Sequence, residues 1–201
     1  METALRIMRD EGLDRLTMRR LAAELDTGPA SLYVYIRNTV ELHGALLDEL
    51  LADLHRPDAA DDQSWRDQLV ELLTGYTVLL FTHPSLARSV LTLRPSGPHY
   101  LRLVDSILGL LHAGGISAGQ AAWGVDILLQ LATATAAEQG SRDETVEAEG
   151  EDVALAVAVA EARPSVYPNI ARVRDDLLSG TGEQRLRWAF GVIIDGLRAG
   201  A

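Results

Sequence analysis

The sequence predicts an all-α chain in two parts. The first is a small N-terminal helix-turn-helix domain of three helices at residues 1–55. The second is a larger helical body at residues 64–201. Three observations carry this prediction. Apolar residues recur at spacings of three and four along most of the chain, as in Leu42, Leu46, Leu50 and Leu54, which is the period of a helix with one buried face. Proline and glycine punctuate that pattern at His83-Pro84, at Pro95-Ser96-Gly97-Pro98 and at Gly114-Gly115. Between Leu16 and Asn38 the period is interrupted by the turn Asp26-Thr27-Gly28, which leaves two short helices side by side.

Composition narrows the possibilities. The chain has 201 residues, 47% of them hydrophobic, enough for a sizeable core. No stretch approaches the roughly eighteen consecutive apolar residues of a membrane span, and the start lacks the charged-then-apolar order of a secretory signal. There is no Cys, which removes disulfides and thiolate metal sites and fits a cytoplasmic protein. The formal net charge is −11, and all eighteen basic residues are Arg. Such acidity argues against nucleic acid until its distribution is considered. From Arg15 to Arg37 four Arg stand against Glu24 and Asp26, a local excess of two positive charges, while acids cluster in Asp58 to Asp67 and Arg142 to Asp152. A small basic face on an acidic body can bind DNA with a steep salt dependence; a solvated helix face has the same composition.

Within the helix-turn-helix, Thr17 is a suitable N-cap. Met18, Leu21 and Leu25 form an apolar face, Arg19 and Arg20 fall off it, and Ala22 is small enough for a close helix crossing. Asp26 tolerates left-handed backbone and Gly28 adopts it freely. Pro29 suits the first turn of the next helix. There Leu32 and Ile36 can pack inward, leaving Ala30, Ser31, Tyr33, Val34 and Tyr35 outward. Outward phenols and small groups fit a DNA groove, with hydroxyls toward phosphates and apolar groups toward thymine methyls. A helical hairpin whose Tyr residues close the rim of a core would share this spacing.

Residues 4–54 resemble the DNA-binding domain of the tetracycline-repressor (TetR) family. The matching residues are Gly12-Leu13, Leu16-Thr17-Met18-Arg19-Arg20-Leu21-Ala22, Leu32-Tyr33, Tyr35, Asn38 and Glu41-Leu42. The resemblance implies a homodimer that binds a palindromic operator in double-stranded DNA and represses transcription until a small-molecule effector binds the C-terminal domain. By position it implies that Arg19 and Pro29, Ala30 and Ser31 face bases or nearby phosphates. Tyr33 and Tyr35 would grip the backbone, and Thr17 would hold a phosphate. Asn38 would cap the fourth helix with Glu41 as capping-box partner, so that its first N–H groups, at Asn38 and Thr39, point at a phosphate. Three departures are visible. Asp26 replaces the usual turn Gly. Thr39 stands where Lys is common, which removes a charge contact. Met1-Glu2-Thr3-Ala4 already lies within the first helix, where members usually carry a basic stretch, so a shortened start or a weakened electrostatic arm is expected.

Further along, Val40 to Leu54 reads as a helix ended by His55-Arg56-Pro57 and the acidic Asp58 to Gln63, the expected domain boundary. Ser64 caps a long helix marked by Trp65, Leu69, Leu72, Leu73, Tyr76 and Leu80. His83-Pro84 opens a short helix to Leu93. The next helix, His99 to His112, places Leu101, Val104, Leu108 and Leu111 on one face. Another runs from Ser117 to about Gln139. Gly140 to Asp152 is polar, acidic and expected to be mobile. Val153 to Ala160 alternates with a strand-like period, but its Ala content favours a helix. Pro164 to Pro168 and Ser179 to Gly182 are loops around a short helix to Leu178. The last helix, Glu183 to Ala199, carries the stripe Leu186, Ala189, Phe190, Ile193 and Leu197, with Trp188, Val192 and Ile194 largely off it. A helix apolar on nearly all sides must be covered on nearly all sides, by its own body or by a second chain. The helix at 117–139 has the same character, and two such helices suit a four-helix dimer seam at Leu128, Trp188, Val192 and Ile194. Trp65-Arg66, His83-Pro84, Gly114-Gly115-Ile116 and Trp188-Ala189-Phe190-Gly191 resemble the family's sensor domain, which implies a ligand cavity among the middle helices.

Catalytic signatures are missing from the sequence: it has no HExxH, no phosphate-cradling Gly-rich loop and no GxSxG elbow. His43, His55, His83, His99 and His112 form no close ligand pair, so neither metal nor cofactor is expected. Tyr76, Phe81, His83, Arg94, His99, Trp123 and Gln130 together suit an apolar pocket with a few polar anchors, and each also suits an ordinary core or loop position. A helical carrier or enzyme that keeps a degenerate DNA-binding domain is the alternative from another class. An activator differs from a repressor only in where its operator lies.

Overall fold

The computed structural model describes residues 1–57, 64–145 and 147–199. Among these residues there are eleven α-helices and no strand. The N-terminal domain comprises α1 (Glu2–Glu11), α2 (Met18–Glu24), α3 (Pro29–Leu32) and the start of α4 (Thr39–Leu50). Leu42, Leu46 and Leu47 of α4 and Leu51 just beyond it are fully buried. They join Ile7, Leu16 and Leu21 on one side to Leu69, Leu73 and Leu103 on the other in one apolar cluster. The helix that closes the N-terminal domain is therefore also part of the core of the body. The expected boundary from Asp58 to Gln63 lies outside the described residues.

The body is built around two long helices, α5 (Trp65–Phe81) and α8 (Ala118–Asp143). Packed on them are α6 (Pro84–Val90), α7 (Pro98–Ala113) and α11 (Gly182–Ala199). Ser64 caps α5 as expected, its Oγ accepting the Asp67 N–H at 3.2 Å. The helix α11 runs antiparallel to α8. At one end Leu197 closes on Gly124 so tightly that a Cβ there would lie 2.5 Å from the Leu197 side chain. At the other, Ala136 and Gln139 face Gly182 to Leu186.

Four expectations need correction. In α7 the buried face is Leu103, Ile107 and Leu111, while Leu101 is exposed and Val104 and Leu108 are only half-buried; the inner face is rotated around the helix from the one its leucine spacing predicts, because Leu residues lie on both sides of it. Leu25 is the C-cap of α2 and exposed rather than part of its inner face. The acidic segment after Gln139 is mostly helical: α8 continues to Asp143 and α9 (Ala148–Glu161) follows. The Arg142 guanidinium pairs with Glu151 and Asp152, which offsets the local acidity. In α11, Ile194 lies in the core beside Phe190 rather than off the stripe. Val153 to Ala160 falls within α9, so the alternation there is not a strand. The helix α10 (Pro168–Leu177) breaks at Val173, and α9 and α10 pack on each other.

Candidate nucleic-acid interface and effector cavity

The helix-turn-helix is held by backbone geometry that its residues favour. The Thr17 hydroxyl accepts the Arg20 N–H at 3.1 Å and caps α2. Met18, Leu21 and Ala22 turn inward. Asp26 takes the left-handed conformation, φ 49°, and Thr27 N–H donates back to the Ala22 carbonyl at 2.9 Å. Asp thus supplies the turn where a Gly was expected, at modest conformational cost. Gly28 has φ −78°, so the turn does not use its conformational freedom. Pro29 opens α3, whose regular part ends at Leu32. The winding persists through hydrogen bonds from Tyr33, Tyr35 and Ile36 back to Pro29 and Leu32. Leu32 and Ile36 pack on the core.

What remains outside is a continuous face. Pro29, Ala30 and Ser31 are exposed, and Tyr33, Val34 and Tyr35 retain 52%, 79% and 81% of their surface. Val34, which the sequence places outward with the two tyrosines, is as open as Tyr35. Beyond this face Asn38 caps α4, its Oδ1 accepting the Glu41 N–H at 2.8 Å. The reciprocal half of the capping box is displaced by one residue: the Glu41 carboxylate accepts the Arg37 N–H at 2.6 Å rather than that of Asn38. Thr39 is the first residue of α4 and exposed.

Charge on this face is sharply sorted. Arg20 is held between Glu11 and Glu24, Arg6 also reaches Glu24, and Arg37 pairs with Glu41. Those pairs keep the Glu11, Glu24 and Glu41 carboxyls below their ordinary range, mainly by accepted hydrogen bonds. Arg19, exposed at the outer edge of α2, makes no ion pair among the described residues; neither does Arg15. Two of the four arginines in this segment are thus neutralised by the protein itself, and two have no ion-pair partner among the described residues.

A cavity of about 160 Å³ lies between α5, the segment from α6 into α7, and α8. Its lining includes Tyr76, Val90, Leu93, Arg94, Tyr100, Asp126, Gln130 and Thr133. Tyr76 is 1% exposed, its hydroxyl sharing a 3.1 Å hydrogen bond with Thr133, and burial pushes its pKa up. Tyr100 is also pushed up, first by burial and then by the Asp126 carboxylate, while Arg94 pulls it the other way. The cavity therefore offers two phenols, a guanidinium, a carboxylate and an amide beside the apolar Val90, Leu91, Leu93 and Leu129.

Of the seven residues expected at a pocket, Tyr76, Arg94 and Gln130 line this cavity. Phe81 lies instead on a more open cleft of about 650 Å³ between α5, α8 and the start of α11. His83 lies in a cleft of about 240 Å³ between α1 and α6, with Arg9 and Glu144; burial, then Arg9, lowers its pKa. His99 sits in the first turn of α7, its ring beside Arg102. Trp123 is 79% exposed on the outer side of α8, because Ala121, Gly124, Val125 and Leu128 occupy the inner side.

The expected dimer residues also divide. Leu128 and Ile194 are fully buried in the core of their own protomer and are not open to a second chain. Trp188 and Val192 are open, at 71% and 51%. With Trp123 and Ile127 of α8 they give α8 and α11 an exposed apolar outer face. Among the described residues no group of three His, Asp or Glu is placed to hold a metal, and no helix is long and apolar enough to cross a membrane.

Comparison with known proteins places both parts. Residues 1–46 match the bacterial regulatory proteins of the tetR family, and residues 56–200 match the tetracyclin repressor-like C-terminal domain. The chain is 33% identical over 116 residues to the HTH-type transcriptional repressor DrrR1 of Streptomyces coeruleorubidus, covering 58% of this chain and only 43% of DrrR1. It is 30% identical over 151 residues to the class C tetracycline repressor protein of Escherichia coli, covering 75% of this chain and 68% of that one. Among solved structures it superposes on the transcription regulator SCO7704 of Streptomyces coelicolor with a TM-score of 0.79 at 50% identity, over 98% and 90% of the two chains. It superposes on the TetR family protein ActR of Streptomyces coelicolor, in complex with actinorhodin, with a TM-score of 0.86 at 34% identity, over 100% and 93%. With a family helix-turn-helix at one end and the sensor fold over most of the remainder, the chain belongs to the tetR family of bacterial regulatory proteins.

Proposed function

We propose that this chain is a transcription repressor that binds a palindromic operator as a homodimer and is released by a small-molecule effector. The observation that carries the reading is the face of Tyr33, Val34 and Tyr35 beside the unpaired Arg19. An exposed aromatic and apolar surface on a rigid helical turn, next to an uncompensated cation, suits a groove floor flanked by phosphates. Pro29, Ala30 and Ser31 are small enough to let the backbone approach base edges. Thr17, Asn38 and Thr39 supply hydroxyl, amide and helix-start N–H groups toward phosphates. The dimer seam is the outer face of α8 and α11, centred on Trp123, Ile127, Trp188 and Val192. Unlike Leu128 and Ile194, these side chains remain 47–79% exposed within the protomer.

The effector site is the cavity of Tyr76, Arg94, Tyr100, Asp126 and Gln130. Its chemistry suits a ring system bearing acidic or carbonyl oxygens, which Arg94, Gln130 and the phenol hydroxyls can meet. The relatives fit this class, since ActR is solved with actinorhodin and other matches are tetracycline repressors. Effector release is a shift between two dimer shapes, driven by the effector's different affinity for each.

Fluorescence anisotropy on the duplex from immediately upstream of the protein's own gene tests the reading, with an unrelated duplex as control. Binding about a hundredfold tighter to the upstream duplex, reversed by actinorhodin or tetracycline as probe ligands, is expected. Equal affinity for both duplexes would remove the operator reading. Specific binding that neither probe reverses would remove the assigned effector class.

A further inference from the structure

The effector cavity carries one charged group for which the oxygens proposed above have no use. Arg94, Gln130 and the two phenols can donate to acidic or carbonyl oxygens. Asp126 lines the same cavity, and an ionised carboxylate only accepts hydrogen bonds and repels acidic oxygens. The fold does not occupy it: among the described residues Asp126 makes no ion pair and no side-chain hydrogen bond. Arg94 makes no ion pair there either, and its guanidinium donates to the Leu93 carbonyl at 3.2 Å. Two opposite charges thus share one cavity without pairing. A second carboxylate near Tyr100 behaves otherwise. Asp48 Oδ1 accepts the His99 and Tyr100 N–H groups at 2.9 Å each. Gly97 leaves the room for it, since a Cβ there would lie 2.2 Å from the Asp48 Cγ. The backbone of α7 uses Asp48, whereas nothing in the protomer uses Asp126.

Trp123, Asp126, Ile127 and Gln130 follow one another on α8 at spacings of three, one and three, which puts them on one side of the helix. Trp123 and Ile127 belong to the proposed dimer seam, while Asp126 and Gln130 border the cavity. Pairing of two copies withdraws water from that flank, and a charge–charge contact strengthens as water leaves. The half-buried Tyr100 feels both charges, Asp126 pushing its pKa up and Arg94 pulling it down. At about 160 Å³ the cavity is smaller than the roughly 300–1,000 Å³ of a drug-sized site, so a ligand that fills it cannot keep clear of either charge. We propose that Asp126 selects the effector by holding a protonated amine, so that the effector is a zwitterion with its acidic or carbonyl oxygens at Arg94 and its amine at Asp126. The inference rests on the effector reading above and adds the cationic half of the ligand. An effector bearing negative charge alone is disfavoured by the same carboxylate.

A matched pair of probes tests this: tetracycline, and its analogue lacking the dimethylamino group, which keeps the ring oxygens. Binding of each to the full chain is measured by titration calorimetry. The natural chain should bind tetracycline about tenfold more tightly than the analogue, the order expected of one hydrogen bond to a charged group. Asp126→Asn should abolish that preference by weakening tetracycline alone, and Asp126→Glu should retain most of it. Arg94→Gln should weaken both probes alike. Asp105→Asn removes an equal charge from the exposed side of α7, outside the cavity lining, and should leave the preference intact. Equal binding of both probes by the natural chain overturns the inference, as does a preference that survives in Asp126→Asn or disappears in Asp105→Asn. Loss of the dimer in Asp126→Asn, read by sedimentation, would overturn it too, by assigning the carboxylate to the seam. Binding of neither probe removes the effector class proposed above, and this inference with it.

Discussion

The two surfaces with the most exposed aromatic side chains differ in what surrounds them. On the recognition face Tyr33 and Tyr35 stand beside Val34, small residues and the unpaired Arg19. On the outer face of α8 and α11, Trp123 and Trp188 stand beside Ile127 and Val192. Phenols keep a polar tip for a wet, charged partner, whereas indoles among aliphatic groups gain most from a dry one. The same exposed apolar area therefore points to a polyanion in one place and to a second copy of the chain in the other. Charge and polar tips make the distinction; exposure alone does not.

This contrast is broken most severely at the dry surface. Trp123→Asp/Trp188→Asp places two charges where a seam is proposed. Loss of the dimer in sedimentation is expected, with a loss of operator binding worth on the order of 4 kcal/mol or more. A double variant that remains dimeric would move the seam elsewhere. Tyr35→Ala comes next: operator affinity should fall by roughly 1–3 kcal/mol with thermal stability and dimer unchanged, because a side chain 81% exposed supports little of the fold. Unfolding instead would show that Tyr35 packs on something. Arg19→Ala should weaken operator and unrelated DNA alike and reduce the salt slope of log K by about one. The same change at Arg20, which is already neutralised by Glu11 and Glu24, should leave the slope nearly intact.

The smallest effect distinguishes the two faces from the interior. Burial lowers the pKa of His43 and of His83 from 6.5. The unfolded chain therefore takes up protons at these sites before the folded chain does, and stability present above about pH 6.5 is lost as pH falls through the lower folded values. The carboxyls of Glu11, Glu24 and Glu41, lowered from 4.5, add their own loss only below about pH 4.5. A melting temperature flat from pH 7 to 5 would contradict the histidine assignment.

Local chemistry was legible in the sequence where a residue type dictates one conformation. The caps Thr17, Asn38 and Ser64, the breaks at Pro84 and Pro98, and the outward set from Ala30 to Tyr35 all follow from a side chain and its immediate neighbours. Assignments that depend on how one helix lies on another fared differently. Leu128 and Ile194 fall within apolar helices, and which sides of α8 and α11 are closed depends on how the two cross at Gly124 and Leu197 and on how they pack against the other body helices. Trp123 suited a pocket by type but lies on the far side of α8. Tyr76, Arg94 and Gln130 come together only once α5, α7 and α8 are packed. The link between Asp48 and α7 spans some fifty residues and leaves no local trace except a glycine in a loop.

Hydroxyl-radical footprinting of the upstream duplex, with the stoichiometry of the same complex from sedimentation, tests the central claim most directly. Two copies of the chain on one duplex are predicted, with two protected patches whose centres lie about 34–36 Å apart, one helical turn, or a multiple of that. A single protected patch bound by one copy would contradict the pairing of a wet recognition face with a dry dimer face.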